Sequence, residues 1–335
     1  MSDQRPMREA QMWSSGKRRR GEQLMVPRAT FSSYYGRPVV KKPVWEERDI
    51  AGYLFSGGIA AGSAVLAAGA ELRGLPALRK VTRMSSMAAL AVSGVALVHD
   101  LGRPERFYNM LRVFKPTSPM SVGSWILSGF ALPAAIGVAD EIPALVPRPL
   151  RPLVQAVAPL ASVAGAVLGS GVATYTAVLL ADTAVPSWHA AHPELPFVFA
   201  GSALAGSSGL ALVLAPTAQT APARKLAVLG AAVELSASQR MEHRLGYVGE
   251  PYKEGAAGRK LKLAKALTLG GAAGSVLLAR RSRTAAVLSG AALFAASALT
   301  RFGVFEAGVA SAEDPSYTVV PQRERAEKRD RPDQV

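Results

Sequence analysis

Residues 99–125 read HDLGRPERFYNMLRVFKPTSPMSVGSW, and the reading of this stretch decides the fold. One apolar run ends at His99 and another begins near Ser121. Between them stand four cations, Arg103, Arg106, Arg112 and Lys115, and two turn signals, Gly102-Arg103-Pro104 and Ser118-Pro119. Charge at that density has no place in hydrocarbon unless protein surrounds it. The stretch is therefore read as a polar cap joining two membrane spans, and the runs on either side as helices.

Outward from the cap, the chain keeps the same alternation. It has 335 residues, 49% of them hydrophobic, and its 19% charge gathers at the two ends and in a few loops. Eight segments are long and apolar enough to span a bilayer, or nearly so: about 50–72, 81–99, 121–140, 153–181, 195–215, 221–238, 261–279 and 284–302. The expected fold is all-α, a polytopic membrane protein built as a bundle of eight transmembrane helices. Ala and Gly crowd the spans, which suits helices that approach closely in lipid. The expected organisation is a basic, largely disordered arm over 1–48, a membrane domain over 49–306 and a charged tail over 307–335. No apolar run follows the Lys17-Arg18-Arg19-Arg20 cluster, so the arm does not read as a signal peptide.

Charge and cysteine usage narrow the chemistry. There is no cysteine, which excludes disulfides, thiolate zinc and any iron–sulfur cluster held by this chain. The net charge of +15 on so apolar a body points to lipid headgroups or an acidic partner, and no nucleic acid is expected. An even number of spans puts both termini on one side. Counting span ends with the loops beside them, that side carries 27 Lys and Arg and the other 11. Positive-inside reasoning places the termini in the cytoplasm and the chain in the inner (plasma) membrane.

All four histidines, His99, His189, His192 and His243, fall on the terminus side, with Tyr175, Trp188, Tyr247 and Tyr252. One face is chemically furnished, while the opposite face reads as plain, with Glu71 and Asp140 as interfacial helix ends. No span carries a histidine near its middle, which argues against bis-histidine haem. His189-x-x-His192 lacks a third ligand nearby, so no metal is expected. Glu234 and Arg301 lie at membrane depth and are expected to face inward as a buried charge pair, in direct contact or through water. Hydrogen-bond donors, a proton source and an apolar slot suit a quinone, and His99, Asp100, Tyr175 and Trp188 supply them near one face.

Several motifs in order resemble the NrfD family of polysulfide reductase-like membrane subunits. Asp100-Leu101-Gly102-Arg103-Pro104 with Arg106-Phe107, then Ser118-Pro119-Met120-Ser121-x-Gly123-x-Trp125, is the most specific. Tyr53-Leu54-Phe55-x-Gly57-Gly58-x-Ala60-x-Gly62 is similar to the family's first span, and Tyr175-Thr176-x-Val178-Leu179-Leu180 and Pro186-x-Trp188 to its fourth-span exit. Gly249-Glu250-Pro251-Tyr252 and Arg301-Phe302-Gly303 resemble versions that accompany formate dehydrogenase-like enzymes. The resemblance implies a haem-free subunit that binds menaquinone or another quinone. It also implies partners: a ferredoxin-like iron–sulfur subunit and, beyond it, a molybdopterin catalytic subunit. It puts Tyr175 at the quinone, with Asp100 and His99 beside it. The family's polar residues at the start of the first span are absent here, which leaves Asp49 or Tyr53 in their place. Arg103 and Arg106 are expected to dock the iron–sulfur partner. Such a chain passes electrons between quinone and partner and is no enzyme by itself. A secondary transporter, which Glu234 and Arg301 allow, and a purely structural anchor stand as alternatives.

Overall fold

The computed structural model describes residues 39–329; the expectation for the basic arm lies, as far as residue 38, outside them. Eight long helices follow one another: α1 (Glu47–Leu72), α2 (Pro76–Asp100), α3 (Pro119–Glu141), α4 (Arg151–Ala181), α5 (Leu195–Leu214), α6 (Ala221–Arg244), α7 (Gly255–Leu277) and α8 (Arg283–Glu313). A ninth, α9 (Ser316–Arg329), follows the bundle. Six of the eight, α1 to α5 and α8, are long and apolar enough to cross a membrane. The protein is an all-helical, multi-pass membrane protein. α6 and α7 match the others in length but carry Arg224, Lys225, Arg240 and Arg244, and Arg259, Lys260, Lys262 and Lys265, which lowers their hydropathy. α8 runs about three turns beyond its expected end near residue 302, because Phe305, Ala307, Gly308, Ser311 and Ala312 stay buried on one side of it.

The helices pack as two groups of four. α1 to α4 form one, with α1 against α2 and α4, and α3 against α2 and α4. α5 to α8 repeat the arrangement, with α5 against α6 and α8, and α7 against α6 and α8. The groups meet where α1 touches α5 and α8 and where α4 touches α5. The membrane window of α1 is 83% buried, against 33% in each of α2, α3 and α4, so α1 is central and the other three turn much of their surface outward. Small residues permit the closeness. A Cβ on Gly201 would stand 2.5 Å from the Glu234 amide nitrogen and 2.7 Å from the Gly230 carbonyl oxygen, so α5 and α6 cross backbone to backbone.

The cap between α2 and α3 is folded. Pro104–Leu111 forms a 3-10 turn. The Ser121 hydroxyl donates to the Val113 carbonyl at 3.0 Å and accepts from the Lys115 amide at 3.0 Å, which pins the loop to the start of α3. Ser118 caps that helix by accepting from the Ser121 amide.

The face opposite the cap corrects one expectation. It is not plain. Arg83, its side chain 3% exposed, places Nη1 at 2.6 Å from Asp140 and 3.0 Å from Glu141, and Nη2 at 2.9 Å from Glu71 and 2.9 Å from Ser162. Arg79 adds a 2.7 Å contact to Glu141. A guanidinium offers five donors in a fixed fork, so one buried Arg holds the ends of α1 and α3 and the flank of α4 together.

Candidate functional site

The ends of α1, α2, α4, α6 and α8, the cap, a short helix Pro186–Ala190 and a 3-10 turn Gly246–Tyr252 share one face. His99, the last histidine of α2, sets Nδ1 at 2.6 Å from Asp49 Oδ2 in the first turn of α1. The carboxylate holds the ring proton on Nδ1, and the side chain, 71% exposed, leaves Nε2 able to exchange protons with water. Asp100, the acid of the signature, has a different task. Its Oδ1 accepts from the Glu46 amide at 3.1 Å, at the N-terminus of α1, where the helix leaves amides without intrahelical partners. Asp49, not Asp100, is the carboxylate that partners His99.

Deeper in the bundle, a Cβ on Gly57 would lie 3.2 Å from Ser93 Oγ and 3.7 Å from Val172 Cγ1, and one on Gly169 would lie 3.2 Å from the Ala61 backbone. These contacts set the antiparallel register of α1 and α4. They bring Tyr53 level with the turn of α4 that holds Tyr175 and Thr176. Asp49 is four residues nearer the face, about 6 Å along the helix. Tyr53 and Tyr175 belong to one buried cluster with Ile50, Leu54, Leu90 and Leu180. Tyr175 is 9% exposed, and neither phenol oxygen has a hydrogen-bond partner among the described residues. A buried tyrosine usually finds one, and here the described residues supply none to either hydroxyl.

Trp188 is brought elsewhere. Its Nε1–H donates to the Val304 carbonyl at 2.8 Å. Its ring stacks on Trp45 at 6.1 Å, lies 5.4 Å from Phe305 and covers Gly308, where a Cβ would overlap the indole. The only donor of this side chain is spent, so it locks the short helix to α8 and leaves no group for a quinone. The Gly249-Glu250-Pro251-Tyr252 motif has a similar duty. The Tyr252 hydroxyl donates to the Ser187 carbonyl at 3.1 Å, and burial pushes its phenol above the ordinary range, keeping the donor protonated. The Ser187 hydroxyl donates to the Val248 carbonyl at 2.9 Å.

Arg103 and Arg106 are exposed and make no ion pair among the described residues; Arg103 does not fold back on Asp100. Phe107, Tyr108 and Phe114 stand exposed beside them. The cap thus offers cations and aromatic surface together, a composition enriched at protein interfaces.

Glu234 and Arg301 are both buried, as expected, and their charges act on each other, but no direct salt bridge joins them among the described residues. Glu234 accepts from Thr300 Oγ1 at 2.7 Å and from Thr268 Oγ1 at 3.4 Å. Arg301 donates to the carbonyls of Leu54 at 3.3 Å and Phe199 at 2.7 Å, with its guanidinium carbon 3.9 Å from the centre of the Phe199 ring. Local hydroxyls and carbonyls on α7, α8, α1 and α5 reached the charges first. Among the described residues no three His, Asp or Glu side chains converge as a metal site.

Glu194, just before α5, is buried and gripped by Arg244 at 2.7 and 2.6 Å. The hydrogen bonds from Arg244 hold its carboxyl below the ordinary range. A depressed folded pKa contributes stability above the unfolded value near about 4.3 that is lost as pH falls below it. Glu194→Gln is therefore expected to be less stable at neutral pH and to lose less on acidification. Heat-denaturation midpoints in detergent between pH 7 and pH 3 measure this, and parallel curves for both proteins would contradict it.

Sequence reading did not find Arg83 or the place of Gly123 against Tyr175. A buried Arg within an apolar run was the available signal for Arg83. A family model described as Polysulphide reductase, NrfD matches residues 40–227. No curated protein matches the chain.

Proposed function

Since the chain belongs to the NrfD family, and so is a membrane subunit of a polysulfide reductase-like oxidoreductase complex, we propose that it exchanges electrons between the quinone pool and a docked iron–sulfur subunit. The observation that carries this reading is the Tyr175 hydroxyl, without a partner among the described residues on a ring otherwise enclosed by α3 and α4. It lies level with Tyr53 and below the His99–Asp49 pair. A quinone needs a donor to its carbonyl oxygen, an apolar slot and a route for protons. Tyr175 supplies the donor and Tyr53 a second one. The cluster around Leu54, Leu90 and Leu180 supplies the slot.

A quinol oxidised at this place gives up two electrons and two protons. The electrons leave for clusters in the partner, since this chain holds no cysteine to bind its own. His99, oriented by Asp49, takes protons toward the aqueous face. Asp100 acts through the backbone, by setting the first turn of α1 and so the place of Asp49. Menaquinone is the quinone we assign, and a molybdopterin subunit lies beyond the iron–sulfur subunit.

Arg103 and Arg106 hold the partner, because guanidinium forks suit carboxylates and no carboxylate among the described residues occupies them. The test is purification of the tagged chain from its native membrane in mild detergent. Stoichiometric extractable quinone and a co-purifying iron–sulfur subunit are expected, with Arg106→Glu losing the subunit and keeping the quinone. A chain that carries neither quinone nor an iron–sulfur partner would overturn the reading.

The partner docks from the cytoplasm, on the same face as both termini. The basic ends of α6 and α7 support this placement beside the cap. A cysteine introduced at exposed His243 is expected to resist an impermeant thiol reagent in intact cells. Labelling there would invert the orientation.

A further inference from the structure

We infer that Gly123 is the positioning residue for Tyr175: by carrying no side chain it gives the phenol ring its seat between α3 and α4. The inference rests on the reading of Tyr175 as the quinone's donor. A Cβ at Gly123 would fall inside the Tyr175 ring, nearest to Cε2, Cδ2 and Cζ. Cζ carries the hydroxyl, so any displacement of the ring moves the donor itself. Tyrosine has two side-chain torsions and a rigid ring, so it moves as a plate and cannot fold away as a lysine or methionine would.

The helices cannot give way instead. The start of α3 is tied down by the Ser118 cap and by the two Ser121 hydrogen bonds to the cap loop. One turn deeper, a Cβ on Gly171 would already stand 3.3 Å from Ile126 Cγ2, so α3 and α4 are in tight contact there. An added methyl at position 123 must therefore push the Tyr175 ring. Gly129, further along α3, meets only Leu168 Cδ1 at 3.9 Å. It provides a control on the same helix with room for a methyl group.

The experiment uses the complex with its iron–sulfur partner and two assays. Menadiol reports the quinone site, and benzyl viologen reports electron exchange with the partner while bypassing that site. Gly123→Ala is expected to lower kcat/KM for menadiol about tenfold or more, with the viologen rate unchanged and Gly129→Ala within twofold of wild type. In a Tyr175→Val background, adding Gly123→Ala is expected to cost nothing further, because the ring it would displace is gone. Equal losses from Gly123→Ala in both backgrounds, including failure to assemble in both, would make Gly123 a packing residue and overturn the inference. So would an unchanged menadiol rate in Gly123→Ala while Tyr175→Phe is impaired. If Tyr175→Phe and Tyr175→Val both turn over menadiol normally, the quinone reading of Tyr175 falls, and the positioning role with it.

Discussion

Tyr175→Phe is expected to lower quinone-linked electron transfer on the order of a hundredfold, with the complex intact and viologen-linked exchange unchanged. The magnitude is that of removing one positioned proton-bearing group from a reacting site. The substitution is well suited to the question, because it keeps the ring that fills the space beside Gly123 and deletes only the hydroxyl. That hydroxyl makes no hydrogen bond within the described protein, so its removal leaves no buried group unsatisfied and stability is expected to hold. A change in turnover would then report chemistry and not folding. Quinone reduction measured in nanodiscs, beside the viologen rate, separates the two. An unchanged quinone rate would move the donor elsewhere, with Tyr53 and the His99–Asp49 pair next in line.

Arg301→Leu is expected to destabilise the protein by about 3 kcal/mol or more, measured as a lower midpoint for heat-induced loss of the monodisperse protein. Three things go at once. The Leu54 and Phe199 carbonyls lose a charged donor that ties α8 to α1 and α5. The contact of the guanidinium with the Phe199 ring, worth up to about 2 kcal/mol when desolvated, is lost. Glu234 keeps the Thr300 and Thr268 hydroxyls and loses the buried cation whose charge acts on it. Pairing Arg301→Leu with Glu234→Leu is therefore expected to recover a large part of the loss, since it removes the stranded carboxylate as well. If the double variant were as unstable as the sum of the singles, the two charges would be independent, and Arg301 would matter only as a tie between helices.

These outcomes separate what was legible in the chain from what was not. The run before His99 and the run after Ser121 announced two helices, with a cap between them, because transfer into lipid is a sum over a segment's own residues. That sum needs no knowledge of neighbours, which is why α1 to α5 stand near their expected limits and α8 begins where expected. α6 and α7 are the places where it thinned, since each carries cations near its ends. Chain order and the spacing of the signatures likewise put His99, Asp100 and the histidines of later loops on one face.

Side-chain partnership was another matter. Asp100 stands beside His99 in the chain, yet Asp49, fifty residues away, takes the imidazole. Trp188 had the chemistry of a quinone donor, but its N–H went to Val304. Glu234 and Arg301 were equally eligible for each other and each closed on hydroxyls or carbonyls of other helices. Arg83 gathered Glu71 and Asp140, which had looked like separate interfacial ends, together with Glu141. In every case the residue types and their depth could be read, while the choice among partners depended on which helix faces meet and in what register. The sequence by itself therefore determined the spans, the shared face and the class of protein. Only the tertiary structure decided which polar groups were satisfied and which, like the Tyr175 hydroxyl over Gly123, found no partner among the described residues. Hydrophobic transfer is additive along a segment, but a hydrogen bond requires two atoms within about 3 Å, and that closeness comes from the packing of helices distant in sequence.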